Sequence, residues 1–301
     1  MRIRVPATSA NLGPGFDTLG MALAFYNHFE AHPADVLTIQ SADSTCVDTA
    51  AMSLDPAQNL FARAYSRYFE YRKTPVIPAQ LIIEAHIPFS RGLGSSSSAI
   101  VAGLYLANHM HGNPFRKEAL LPWAIEIEGH PDNVTPALLG GLHCCLETES
   151  ILLQWPEDWG IVLVIPPTPI STEEARKLMP PHYSVSEVIQ NIHGISAWVS
   201  AVLKQDTALM RYALSGDCVH EPYRGMLIPE YPIVQNLAEN HQALGCIISG
   251  SGSTLAVFTP TLESRDNFKQ HLKAHPHLAH CKVMSVSPDL QGVSSITPKA
   301  G

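Results

Sequence analysis

A strand, a glycine–serine loop and a helix follow one another directly between residues 81 and 110. Leu81 to Ile87 is apolar and β-branched, Arg91-Gly92-Leu93-Gly94-Ser95-Ser96-Ser97-Ser98 follows, and Ala99 to Met110 continues as an apolar helical stretch. Glycines permit torsions and close approaches closed to other residues, serines cap helices, and the first N–H groups of a helix have no intrahelical partner. A loop of this composition in this position can cradle phosphate. The helix end supplies only about half a positive charge, so a polyphosphate held there needs a cation, and the cation a nearby carboxylate. The run lacks the lysine of a Walker loop and the last glycine of a dinucleotide fingerprint, and no GxSxG elbow occurs.

The rest of the composition narrows the choice. With 46% apolar and 15% charged residues, the chain of 301 residues reads as folded and long enough for one large or two ordinary domains. Nineteen basic against twenty-seven acidic residues give a net charge of −8, which carries no general footprint for nucleic acid or an anionic membrane. Any polyanion must be held locally. The longest apolar runs, Ile161 to Ile165 and Leu255 to Phe258, are far shorter than a membrane span, and Pro6 and Asn11 interrupt the N-terminus before a secretory apolar core can form. A cytoplasmic location is expected. The six cysteines include an adjacent pair, Cys144 and Cys145, but no CxxC, which fits reduced thiols better than a disulfide framework or a zinc site.

Along the chain, residues 2 to 5 and Met21 to Phe29 read as strands around a glycine- and proline-rich segment. Asp55 to Tyr71 and Glu118 to Glu128 read as helices, the latter with Pro122 in its first turn. Leu142 to Leu146 and Ile161 to Ile165 read as strands, and Trp155 to Gly160 is the best internal boundary. Beyond it come helices at Val185 to Leu203, Thr207 to Leu214 and Leu262 to Ala274, and strands at Cys246 to Ser249 and Leu255 to Phe258. This irregular mixture indicates α+β. His271, His275, His277, His280 and Cys281 are expected at a solvated helix end, because Pro276 stops the helix and no carboxylate completes an HExxH pattern. Pro288 to Gly301 is expected to be a frayed terminus.

Two further segments resemble the central loop in composition: Pro6-Ala7-Thr8-Ser9-Ala10-Asn11-Leu12-Gly13-Pro14-Gly15-Phe16-Asp17 and Ile248-Ser249-Gly250-Ser251-Gly252-Ser253-Thr254. Together the three resemble the signature motifs of the GHMP small-molecule kinases. PATSANLGPGFDTLG, Glu128-Gly129-His130-Pro131-Asp132-Asn133-Val134 and Glu221-Pro222-Tyr223-Arg224-Gly225 look like the branch acting on L-homoserine. The resemblance implies an α+β, two-domain GHMP kinase fold. An N-terminal domain of the ribosomal-protein-S5-domain-2-like type (1–157) would carry the ATP phosphate loop, and a C-terminal ferredoxin-like domain (158–301) would complete the substrate site. The implied reaction is ATP-dependent phosphorylation of the side-chain hydroxyl of L-homoserine in threonine biosynthesis, with Mg²⁺. Another GHMP kinase of mevalonate or shikimate type, or a non-catalytic nucleotide-binding sensor, are the alternatives. A homodimer is common among such proteins.

By the same resemblance, Asn59, Pro88, Arg91, Gly92, Leu93, Gly94, Ser95, Ser96, Ser97 and Ser98 surround the nucleotide, and Ser96 and Glu128 hold Mg²⁺, with Glu126 the competing carboxylate. Asn11, Asp17, His130, Asp132, Arg176, Arg224 and Gly252 surround the amino acid. Asn133 and Asp132 join Ser96 and Glu128 in the chemistry, Asn133 positioning the acceptor hydroxyl, and no general base is assigned. Hydroxyl and carboxylate oxygens suit Mg²⁺, and arginine forks suit a carboxylate. The family pattern has proline where this chain has Ser253, so the third loop is expected to lose a fixed φ.

Overall fold

In a computed structural model, residues 1–42, 45, 52–147 and 149–296 are described. The first half comprises β1 (Arg2–Ala10), β2 (Leu19–Pro33), β3 (Thr38–Ser41), α1 (Leu60–Arg72), β4 (Ala79–Glu84), α2 (Ser95–Met110), α3 (Leu121–Glu128), α4 (Pro131–Leu139), β5 (Leu142–Leu146) and β6 (Glu149–Leu153). The second comprises β7 (Gly160–Ile165), α5 (Thr172–Lys177), α6 (Val185–Lys204), α7 (Thr207–Leu214), α8 (Glu221–Arg224), α9 (Tyr231–Asn240), β8 (Gly245–Ile248), β9 (Leu255–Thr259), α10 (Leu262–Ala274), β10 (Lys282–Val286) and β11 (Ser294–Ser295).

The first sheet runs β11-β1-β2-β4-β3, with β5 on the other half of the long β2 and β6 beyond β5; among the described residues only β3 and β4 pair in parallel. The stretch expected as a loop after residue 5 is instead strand as far as Ala10. Pro6 cannot donate to a ladder, and it sits where the β1–β2 register shifts, the position a proline tolerates. The second sheet runs β10-β7-β9-β8, entirely antiparallel. Its chain order of strand, helices, two strands, helix, strand gives the 4-1-3-2 arrangement of a ferredoxin-like unit.

Three apolar cores lie under these sheets. Ile3, Val5, Phe29, Leu81, Ile100 and Leu104 form one beneath the first sheet, with α1 and α2. On β7, fully buried throughout, alternate residues serve two others. Ile161, Leu163 and Ile165 join Leu12, Leu19, Met21, Trp155 and Trp198 in a core shared by both halves, and Val162 and Val164 join Ile248, Val257 and Phe268 in a core of the second half alone.

The expectation of a frayed end after Pro288 is overturned for residues 288–296; 297–301 lie outside the described residues. Pro288 bridges Leu23, the Asp289 N–H donates to Ala22 O, Gly141 N–H donates to Asp289 O, and β11 pairs with β1. The first strand would otherwise present an unpaired edge. This segment, numbered in the second half, is therefore part of the first sheet.

Candidate active site

Asn11, residues 88–96 and Ser251 line one cavity of about 510 Å³, together with Asp17, Asn59, Glu128, His130, Asp132, Asn133, Arg176 and Arg224. The backbone explains how segments so distant in sequence meet. Thr8 N–H donates to Leu93 O, Gly250 N–H to Ala10 O and Thr254 N–H to Arg91 O, which joins the three glycine–serine segments into one knot. Ser249 Oγ donates to Gly92 O at 2.7 Å and lies 2.8 Å from Ser9 Oγ. A Cβ on Gly92 would stand 1.9 Å from Ser249 O, so only glycine lets the strands close this far.

Helix α2 begins at Gly94, which is left-handed (φ +66°) and has no side chain to cap the first turn. The leading N–H groups therefore face the cavity without an internal acceptor, and Ser95 Oγ is buried with no partner among the described residues. Both features fit an anion. The Ser97 and Ser98 side chains depart from expectation: they turn into the protein and do not line the cavity, because the helix needs that face for packing. Ser97 Oγ donates to Glu128 Oε1 at 2.6 Å, and Ser98 Oγ donates to Ser95 O while accepting from Asn27.

Ser96 Oγ also donates to Glu128 Oε1, at 2.9 Å. Hydroxyl and carboxylate thus converge at the mouth of the loop, a hard-oxygen pair that fits Mg²⁺. Glu126 points elsewhere, toward Arg67 at 3.3 Å. Asn59 caps α1, accepting from the N–H groups of Phe61 and Ala62, and lines the cavity beside Pro88. Arg91 lines the cavity, and its guanidinium donates to the carbonyls of Phe89, Ser90, Pro166 and Pro167, so its charge also straps the phosphate loop to the end of β7.

At the other end, Arg176 Nη2 contacts Asp17 at 2.7 and 3.0 Å, and Arg224 Nη1 donates to Gly250 O. Arg224 is 2% exposed, and its Nε is buried without a partner among the described residues, a donor awaiting an acceptor. Burial first, and then the Arg176 charge, hold its guanidinium below the ordinary value. The Phe16 ring lies beneath both cations, 5.4 Å from Arg176 and 5.0 Å from Arg224. Asn11 is pinned at both ends, accepting from Asp17 N–H and donating to Gly250 O, and so shapes the pocket. Gly252 does not line the cavity. It packs behind the phosphate loop against Gly92 and Ile228, because the knot of loops places it on the far side.

Between these poles stands the start of α4. His130 Nδ1 lies 2.5 Å from Asp132 Oδ1. Burial pulls the imidazole down, but the Asp132 hydrogen bond and the charges of Asp132, Glu128 and Asp17 outweigh it, leaving it above its ordinary value. Asn133 Oδ1 accepts from Thr8 at 2.7 Å, which turns its Nδ2 away from Thr8. Sequence reasoning missed Thr8, Phe16 and Asn27 as site residues. The first two lie inside a quoted motif, whereas nothing in the sequence marks Asn27, whose Oδ1 accepts from the N–H groups of His86 and Ile87.

Ser253 does not leave the third loop loose: its Oγ donates to Thr168 O at 2.5 Å, a tie that proline could not make. The histidine tail is a solvated helix end as expected: α10 stops at Ala274 before Pro276, and His271, His277 and His280 are exposed. His271 stacks on His241 with ring centres 4.0 Å apart, and His280 lies 2.7 Å from Glu230 with Cys281 alongside.

Residues 59–141 match the family description "GHMP kinases N terminal domain" and residues 198–278 match "GHMP kinases C terminal". A homoserine kinase of Synechococcus sp. is 42% identical over 266 residues, 86% of each chain, and one of Thermosynechococcus vestitus is 40% identical over 258 residues, 84% of each. Among solved structures, homoserine kinase from Cytophaga hutchinsonii superposes with a TM-score of 0.88 at 27% identity, covering 98% of this chain and 97% of that one. Mevalonate kinase from Methanococcus jannaschii, 13% identical with a TM-score of 0.73 and covering 96% of this chain and 98% of that one, shares the fold.

Proposed function

The chain belongs to the GHMP kinase family, and on that premise we propose that it transfers the terminal phosphoryl group of ATP to the side-chain hydroxyl of L-homoserine, giving O-phospho-L-homoserine and ADP in threonine biosynthesis. The observation that carries the reading is a single cavity with an anion cradle at one end and the poles of an amino acid at the other.

The loop from Gly92 to Ser98 holds the β and γ phosphates through backbone N–H groups at the start of α2. Asn59 and Pro88 border the base. Ser96 and Glu128 would hold Mg²⁺, which when bound supplies charge neutralisation on the phosphates.

Arg176 and Asp17 pair with each other at 40% and 37% exposure, a contact worth at most about 1 kcal/mol. A zwitterion offers each a replacement. Its ammonium takes Asp17 with Asp132 nearby, and its carboxylate takes Arg176 together with the unpartnered Nε of Arg224. Asn133 then donates Nδ2 to the acceptor hydroxyl, while His130 holds the Asp132 carboxylate in place. Phosphoryl transfer through a loose transition state asks for alignment and neutralisation more than early proton removal, so the site works without a dedicated base.

An acceptor bearing both an ammonium and a carboxylate distinguishes this reading from mevalonate or shikimate chemistry, and turnover distinguishes it from a sensor. Purified protein with Mg²⁺ and ATP should release ADP with homoserine, and far more slowly with mevalonate, shikimate or serine. No turnover with homoserine would reject the assignment.

A further inference from the structure

On the face of the first sheet turned away from its core, histidine and carboxylate side chains gather outside the catalytic cavity. His28 on β2 and Glu84 on β4 are direct cross-strand partners, and His86 lies two residues beyond Glu84, on the same face. His86 Nε2 is 3.2 Å from one Glu84 oxygen and His28 Nδ1 3.9 Å from the other. One ligand atom from each of the three lies within 4.8 Å of the others. His28 Nδ1 is itself buried and has no hydrogen-bond partner among the described residues.

We propose that His28, Glu84 and His86 form a binding site for a Zn²⁺-class divalent cation, separate from the nucleotide site. Two imidazoles and one carboxylate are a donor set that Zn²⁺ takes, with further positions open to water, whereas nitrogen donors disfavour Mg²⁺. Bonds of about 2 Å at tetrahedral angles set the ligand atoms about 3.3 Å apart, against observed spacings of 3.2 Å for His86 and 3.9 Å for His28 to the Glu84 oxygens. Two ligands stand on paired strands, which fixes their spacing before any ion arrives. Arg2 Nη2 holds Glu84 Oε2 and orients the carboxylate, leaving Oε1 toward His86.

The site is wired to the phosphate loop. His86 and Ile87 N–H both donate to Asn27 Oδ1, at 2.7 and 2.8 Å, and Asn27 Nδ2 donates to Ser98 Oγ in the first turn of α2. A cation that clamps His86 therefore braces the exit of β4, from which Pro88 to Arg91 line the nucleotide cavity.

The test uses the full chain, metal-free, titrated with Zn²⁺ against a chromophoric chelator and with Co²⁺ for its visible spectrum. One equivalent should bind outside the nucleotide site, give intense tetrahedral Co²⁺ bands with nitrogen ligation, and raise the melting temperature. H28Q and H86Q should each weaken Zn²⁺ binding by at least about 10-fold, while H280Q and H130Q, at the two other His-containing clusters, leave it unchanged. The wild-type Co²⁺ spectrum stands independently of how any variant folds. Absence of bound Zn²⁺, sulfur-to-cobalt charge-transfer bands that mark Cys281, or binding lost in H280Q or H130Q but kept in H28Q and H86Q would overturn the proposal.

Discussion

The Thr8 hydroxyl donates to Asn133 Oδ1 at 2.7 Å from a fully buried position, and so decides which end of that amide is available to a ligand. Removing the hydroxyl while keeping the shape, in Thr8→Val, frees the amide to flip. The loss of about 1.4 kcal/mol of orientation should lower kcat about 10-fold with little change in KM for ATP. Thr8→Ser keeps the donor and should keep most of the rate. Equal kcat in Thr8→Val and wild type, by steady-state assay, would show that the bond orients nothing. At this scale the sequence was legible in residue type and opaque in direction. Glu128 was chosen over Glu126 by resemblance alone, because residue type does not say which carboxylate α3 turns toward Ser96. Arg91 sits in the loop as expected, yet four carbonyls claim its guanidinium. Asn27 owes its importance to three partners that are all remote in sequence.

Strand, loop and helix between Ala79 and Met110 follow in the order that composition indicates, because alternation, glycine and apolar periodicity are local properties. Elements with mixed signals were harder. Pro131–Leu139 carries two prolines, and the sequence assigns it no element. Pro131 nevertheless occupies the first turn, where no N–H is needed, and Pro136 is held in a helix whose packing against β1, β2 and β5 outweighs one missing bond. Strand β6 went unread because it has only the partnership of β5 to define it. The start of α2 offers a test. Gly94 is left-handed, and a Cβ there would stand 1.9 Å from Thr8 Oγ1, so Gly94→Ala adds torsional strain to a collision. Its melting temperature should fall by about 5 °C or more, and KM for ATP should rise as the leading N–H groups are displaced. Unchanged values for both would mean that the loop relaxes freely.

Both halves of the molecule meet at a core that neither could complete alone, and a fully buried acid in the second half makes stability depend on pH. Glu221 accepts from Ile248 N–H at the end of β8 and from Tyr231 on α9. Burial, and then the Asp217 charge, push its carboxyl up to about 8 from an ordinary 4.5. Between those values the folded chain keeps a proton that the unfolded chain has released. Stability contributed by this group is therefore whole below pH 4.5 and drains away as pH climbs to 8, at up to about 1.4 kcal/mol per pH unit. Thermal melts from pH 5 to 8 should show the wild type losing stability faster than Glu221→Gln, which has no proton to lose; parallel curves would remove Glu221 as the cause. The sequence marks an internal boundary at Trp155 to Gly160, between β6 and β7, but not the return of residues 288–296 to β1, since a segment of serine, proline and glycine finds its place only through a strand made long before it. That return sets an order on biosynthesis. A ribosome extrudes β1 long before its outer neighbour β11, so the earlier strand travels with one bare edge and needs shelter from other nascent chains until residues 294–295 arrive.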